Sequence, residues 1–240
     1  MKILIIPDIH GRDFWRQAID SDADKIIFLG DYLDHYPDES TYYHDIANFL
    51  EILDFKRKFP DKVTLLLGNH DWSYYNEEIY RSEDYWCRHD HKNHDIIHKL
   101  FEDNKDLFEL YYEIPNFCKG IKQEKLLFTH AGFTNHYFNE ASKWFDTKDI
   151  SEICSNLFEP KNHPALIGYV SYFRGGINTT GSIVWADIRE HGETKNKYLQ
   201  PYYQIFGHTY CKNEIIREDF AMLDCGRKCF ILDEESLHEL

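Results

Sequence analysis

Five short polar clusters carry side chains that bind divalent metals: Asp8-Ile9-His10-Gly11, Gly30-Asp31-Tyr32-Leu33-Asp34, Gly68-Asn69-His70-Asp71, Thr129-His130-Ala131-Gly132 and Gly207-His208-Thr209. Carboxylate, imidazole and side-chain carbonyl together suit first-row ions of intermediate hardness such as Mn²⁺, Fe²⁺/Fe³⁺, Zn²⁺ or Co²⁺. All-oxygen Ca²⁺ sites and cysteine-rich structural Zn²⁺ sites look different. Taken singly, each cluster is ordinary: Asp-x-His after a strand is usually a cap and turn, and G-N-H-D reads equally as an Asn turn. What points to a metal site is the conjunction of all five, each directly after an apolar run.

Those runs are the elements that must position the clusters. Strand-length apolar segments recur at Lys2–Pro7, Lys25–Leu29, Val63–Leu67, Lys125–Phe128, Ser182–Trp185, Tyr203–Phe206, Phe220–Leu223 and Lys228–Leu232. Between the early ones, Thr41–Lys58 has helical periodicity, with Tyr43, Ile46, Ala47, Leu50 and Leu53 on one face and Ser40 or Thr41 as N-cap. Arg12–Ile19, Lys92–Asp106 and Asn135–Phe145 are weaker helical segments. Strand–helix alternation followed by closely spaced strands predicts an α/β fold, a layered sandwich of mixed β-sheets flanked by helices and antiparallel toward the C-terminus. In open α/β sheets ligands bind beyond the carboxyl ends of the strands, so the clusters are expected to converge there. Pro160–Gly181, with two prolines and four glycines, reads as a long loop.

The ordered set D-x-H, G-D-x-x-D, G-N-H-[DE], a lone His and G-H resembles the calcineurin-like metallophosphoesterases, over Asp8 to His208. D-I-H-G, T-H-A-G and G-H-T look most like the branch of Ser/Thr protein phosphatases and bacterial diadenosine-tetraphosphate hydrolases. The resemblance implies the calcineurin-like phosphoesterase fold and two divalent metal ions, Mn²⁺ first, with Fe, Zn or Co as alternatives. Carried over by position, Asp8, His10 and Asp31 would hold one ion, and Asp31, Asn69, His130 and His208 the other. Asp31 would then bridge ions about 3.5–4 Å apart, the separation that clamps both oxygens of an in-line displacement by a shared hydroxide. His70, outside the metal ligands in this pattern, is the candidate general acid, with Asp34 orienting its ring.

One departure concerns the phosphate clamp. In the protein phosphatase branch the second motif continues G-D-x-x-D-R-G, and its arginine grips phosphate; here Asp34 is followed by His35-Tyr36-Pro37. Arg12, Arg174 and Arg189 are the substrate-binding candidates, since a planar guanidinium suits bidentate phosphate contact. Trp72, Tyr74, Tyr75, Tyr80, Tyr85 and Trp86 either stack on a base or aromatic substrate or, more commonly, pack a cap against the core. His91, His94 and His98 share a helical face, read as a solvated polar surface.

Composition bounds the function further. A formal net charge of −15 opposes polyanion binding, so duplex nucleic acid is not the expected partner. Bound cations still allow a phosphorylated small molecule or phosphoprotein in one acidic cleft. The six cysteines form no C-x-x-C pair and read as reduced thiols. No apolar stretch of about 18 residues spans a bilayer, and a single metallophosphoesterase domain over residues 1–240, cytoplasmic, is expected. The leading reading is hydrolysis of a phosphomonoester or phosphoanhydride. A phosphodiesterase is the first alternative, although Tyr210 stands where diesterases commonly carry the second histidine of G-H-x-H. A non-catalytic metal-containing binding protein is the second.

Overall fold

The computed structural model describes residues 1–76, 87–158, 164–191, 199 and 201–240. Strand β1 (Ile3–Ile6) is buried at every position, as are β2 (Lys25–Phe28) beyond its first residue and, after helix α1 (Tyr42–Lys58), β3 (Val63–Leu66). Side chains alternate across a strand, so burial throughout requires a layer on each face. On one face Ile3, Ile5, Ile27 and Leu66 share a core with Leu126, Phe128, Tyr203 and Ile205 of a second sheet. On the other, Leu4, Ile6, Ile26, Phe28 and Leu65 pack with Phe49, Ile52 and Leu53 of α1.

The chain continues through α2 (Asn69–Tyr75), α3 (His94–Asp103), β4 (Phe108–Glu109), β5 (Tyr111–Pro115), β6 (Lys125–Thr129), α4 (Asn135–Phe145) and α5 (Ile150–Phe158). After the short helices α6 (Pro164–Ile167) and α7 (Ile188–His191) come β7 (Tyr202–Phe206), β8 (Ile215–Ile216), β9 (Phe220–Met222), β10 (Phe230–Leu232) and β11 (Leu237–Glu239). One sheet has the order β11-β10-β1-β2-β3-β4, the other β5-β6-β7-β9-β8. Strands β1, β2, β3 and β4 run parallel, as do β6, β7 and β9, while β10 and β11 are antiparallel. The layered α/β sandwich of mixed sheets is therefore the observed architecture; the antiparallel C-terminal trend is restricted to β8–β9 and the β10–β11 edge.

Several local expectations are corrected. Ser182–Trp185 forms a turn instead of a strand: Ile183 and Val184 are buried, the Trp185 and Ala186 amides bond back to Ser182, and the Ile183 carbonyl accepts from Ala131 N. The buried face of α1 is Asp45, Asn48, Phe49, Ile52, Leu53 and Phe55, while Tyr43 and Leu50 are exposed. Two polar residues take inward positions because they hold loops. Asn48 accepts from Trp15 Nε1 at 2.7 Å and donates to the Arg12 carbonyl, and the Asp45 carboxylate receives Ser40 Oγ and His35 N. Thr41 is the N-cap, accepting from His44 N. The 3-10 turn Phe14–Ala18 stands where a helix was expected at Arg12–Ile19, and residues 164–181 of the expected loop include α6 and the turn Tyr172–Arg174; residues 160–163 lie outside the described residues.

Trp72, Tyr74 and Tyr75 are buried in the core, stacked on one another or on Phe101, which removes them as a stacking platform for substrate. Tyr80, Tyr85 and Trp86 lie outside the described residues. His89 and His94 are also buried, joined Nε2 to Nδ1 at 2.9 Å and stacked on Tyr74; of the three histidines expected on a solvated face, His91 is exposed, His98 is half-buried with Nδ1 2.6 Å from the Tyr74 carbonyl, and His94 turns inward. Burial, with His94 and His91 nearby, pushes His89 down to about 3. All six cysteines are free, and no helix among the described residues is long and apolar enough to cross a membrane.

Candidate metal centre

The parallel strands deliver all five clusters to one edge. Asp8 and His10 follow β1, Asp31 follows β2, and Asn69 opens α2 after β3; His130 and His208 follow β6 and β7 of the second sheet. The turns there are tight. His10, Asp31, Asp34 and His208 have φ of 46°, 53°, 62° and 67°, left-handed values that cost non-glycine residues about 1–3 kcal/mol each. Strain of this kind persists where surrounding structure imposes it, and it clusters at functional sites.

Two glycines leave the room the carboxylates need. A Cβ on Gly68 would stand 2.1 Å from Asp31 Oδ1, and one on Gly207 would stand 2.3 Å from Asp8 Oδ1. Asp31 Oδ1 instead receives His70 N at 3.0 Å, and Asp8 Oδ1 receives His208 N at 3.0 Å.

The histidines are oriented by backbone carbonyls. His10 Nδ1 donates to Leu33 O at 3.0 Å and His130 Nδ1 to Leu29 O at 2.8 Å, which fixes the proton on Nδ1 and turns each Nε2 lone pair inward. His10 Nε2 stands 3.6 Å and His130 Nε2 3.5 Å from Asp31 Oδ2, so the one carboxylate lies between the two rings. His130 Nε2 also lies 3.1 Å from Asn69 Oδ1 and 3.1 Å from His208 Nδ1. A lone pair facing a carbonyl oxygen is unfavourable unless a cation sits against both, so the donor set fits a metal ion. His208 Nε2 is buried without a hydrogen-bond partner, as an incomplete polar cluster would leave it.

Electrostatics agree with that fit. Burial and the neighbouring carboxylates of Asp8 and Asp71 hold Asp31 well above the usual carboxylate range. Burial keeps His10, His130 and His208 below the ordinary histidine value, which favours the neutral form that can bind a metal ion. His10, Asp31 and His70 form one group with ligand atoms within 4.8 Å of one another; Asp31, His130 and His208 form another. Asp31 belongs to both.

His70 Nδ1 lies 2.8 Å from Asp34 Oδ2, and the Tyr74 hydroxyl donates to Asp34 Oδ1 at 2.6 Å. Burial pushes Asp34 up to about 7, against the Tyr74 hydrogen bond and Arg88, which pull it down. Burial likewise holds His70 well below its usual value, with Arg88 adding to the effect. The expected acid–orienter pair is therefore in contact, in an environment that resists charge on either member.

The three expected arginines differ in placement. Arg12 is buried, donates to Glu39 at 2.7 Å and has its guanidinium over the Tyr36 ring. Arg174 bonds the His208 carbonyl and Thr209 Oγ1 beside the cluster, with Nε 3.0 Å from Asp187. Arg189 is exposed, and among the described residues its polar partners are Asp187 and the Phe173 carbonyl.

Three residues at the site are given no role by the motif reading, although Asp71 closes the third cluster. Asp71 accepts three backbone N–H groups, from Asp31 at 2.6 Å and from Tyr32 and Gly68 at 2.9 Å, tying the β2 and β3 tips together. Arg88 reaches the Asp34 carbonyl. Asp224, beyond the end of β9, is buried with Oδ1 unpartnered; burial and Asp8 hold it well above the carboxylate range. Leu223-Asp224-Cys225-Gly226 repeats the strand-tip pattern and offered the one usable hint.

The chain is similar to a probable serine/threonine-protein phosphatase of Encephalitozoon cuniculi, 30% identical over 136 residues, which is 55% of this chain and 26% of that protein. It is also similar to a serine/threonine-protein phosphatase 4 catalytic subunit of Eremothecium gossypii, 28% identical over 98 residues, 35% of this chain and 30% of the other. The matched stretches thus span less than a third of these relatives. A solved cold-active protein tyrosine phosphatase covers 100% of this chain and 78% of its own at a TM-score of 0.50 and 17% identity, a likeness of fold. The calcineurin-like phosphoesterase sequence model matches residues 1–212, and the chain belongs to that family.

Proposed function

We propose that the protein is a binuclear metal-dependent phosphoesterase that hydrolyses a phosphomonoester or phosphoanhydride. The observation that carries this reading is the Asp31 carboxylate shared by two groups of ligand atoms, with His10 and His70 on one side and His130 and His208 on the other, and with Asp8 bonded to His208 N beside them. Asp8, His10 and Asp31 would hold one divalent ion, and Asp31, Asn69, His130 and His208 the other. When bound, such a pair supplies an activated water and neutralises phosphate charge, with Mn²⁺ the first candidate and Fe, Zn or Co the alternatives.

The remaining chemistry belongs to side chains. His70 protonates the leaving oxygen, and Asp34, held by Tyr74, keeps the imidazole oriented with Nδ1 toward the carboxylate. An incoming phosphate places negative charge beside His70 and raises its proton affinity, countering the burial that keeps it neutral. Arg12 and Arg174 lie beside the ligand cluster as contributors to phosphate binding; Arg189, exposed and bonded to Asp187 and the Phe173 carbonyl, contributes less. The phosphatase relatives support a phosphoprotein or other phosphomonoester over a diester. Free cysteines support a reducing, cytoplasmic setting, and the whole of 1–240 is taken as one catalytic domain.

The test compares p-nitrophenyl phosphate with bis-p-nitrophenyl phosphate on Mn²⁺-loaded protein. The monoester should be preferred by at least about tenfold in kcat/KM, a difference of about 1.4 kcal/mol, and chelation should abolish both rates. A diester preference would transfer the site to phosphodiester chemistry. Undiminished turnover after removal of metals would contradict the metal-dependent reading.

A further inference from the structure

The candidate site is rich in carboxylates, with Asp8, Asp31, Asp34, Asp71 and Asp224 all buried, in a chain of net charge −15. An anionic substrate needs cationic groups there beyond the metals. Three of the four arginines around the site are already paired: Arg12 with Glu39, and Arg174 and Arg189 with Asp187. Arg88 differs. Among the described residues no carboxylate lies within ion-pair distance of it, and it is partly buried.

Its guanidinium is nevertheless held. Nε and Nη2 donate to the Asp34 carbonyl at 3.2 and 3.1 Å, and its central carbon lies 3.9 Å from the centroid of the Tyr36 ring. That ring stands edge-on to His10 at 5.2 Å and also carries Arg12 at 5.0 Å. Arg88 Nη2 comes within 3.4 Å of the His10 ring. A half-buried cation fixed by a carbonyl and an aromatic face, with no carboxylate of the described residues at ion-pair distance, is costly unless an anion arrives during function. A neutral partner also leaves the full charge available, whereas an arginine already bonded to a carboxylate must share it.

We propose that Arg88 grips the phosphoryl oxygens of the substrate, with the Asp34 carbonyl and Tyr36 setting the direction of its fork. This rests on the phosphoesterase reading and adds to it a residue that binds substrate from outside the five motif clusters. The Asp34 contact has a second consequence, because the residue that orients His70 then also orients the phosphate-binding arginine.

The test uses Mn²⁺-loaded full-length protein with Arg88→Met, which keeps the stem on Tyr36 without charge, and Arg88→Lys, which keeps charge without the fork. Orthophosphate affinity by calorimetry, KM and kcat for p-nitrophenyl phosphate, metal content and melting temperature are measured together. Arg88→Met should weaken orthophosphate binding and raise KM by about 10–100-fold at unchanged metal content, with Arg88→Lys recovering part of the loss. Wild-type orthophosphate affinity in Arg88→Met would overturn the assignment, as would a loss confined to kcat. A wild-type protein that carries metal but neither hydrolyses the ester nor binds orthophosphate would refute the phosphoesterase reading itself, and this control separates the two failures.

Discussion

His70→Ala is expected to lower kcat on esters with poor leaving groups by about 10²–10⁴-fold while leaving metal content unchanged. The argument is geometric. The imidazole is bonded through Nδ1 to Asp34 at 2.8 Å, and Asp34 is itself held by Tyr74, an arrangement that orients a proton donor. p-Nitrophenolate needs little protonation to leave, so the loss should be smaller on p-nitrophenyl phosphate than on an alkyl or phosphoserine ester. His70 also lies with His10 and Asp31 in a group whose atoms are close enough to share an ion. Metal analysis of His70→Ala therefore decides between its two possible roles: loss of an ion would make it a ligand, and unchanged turnover on all esters would remove it from the chemistry.

Asp71→Ala should produce the largest loss of stability, about 3–5 kcal/mol, because it leaves three buried backbone N–H groups without an acceptor. In a chain of this size that corresponds to a fall of roughly 10–15 °C in melting temperature. The functional effect follows from position: the Asp31 and Gly68 amides that Asp71 holds flank the Asp31 carboxylate, so metal affinity should fall in the same variant. Asp71→Asn, which keeps one carbonyl acceptor, should lie between. Melting curves of metal-free protein isolate the structural part, and a wild-type curve for Asp71→Ala would contradict the account.

Much of this site was legible in the sequence because each ligand type stands directly after an apolar run, and parallel strands carry such residues to a common edge. Asp8, His10, Asp31, Asn69, His130 and His208 fall together for that reason. The face of α1 was misread because Asp45 and Asn48 are core-facing polar residues, satisfied by loop partners distant in sequence. Ser182–Trp185 has the apolar density of a strand but serves as a buried turn whose Ile183 carbonyl accepts from Ala131 N, and a run of four residues has no periodicity that separates the two. Arg88 was invisible for a different reason: its role depends on a carbonyl and a ring contributed by residues 34 and 36, contacts that no local pattern encodes.

The central claim, a binuclear site organised on Asp31, is tested most directly by metal content and p-nitrophenyl phosphate turnover of wild type and Asp31→Asn after Mn²⁺ loading. The account predicts about two ions per wild-type chain, and in Asp31→Asn loss of at least one ion with activity reduced by about 10³-fold or more. Fewer than one ion per wild-type chain with no turnover, or an Asp31→Asn protein that keeps both ions and full activity, would contradict it.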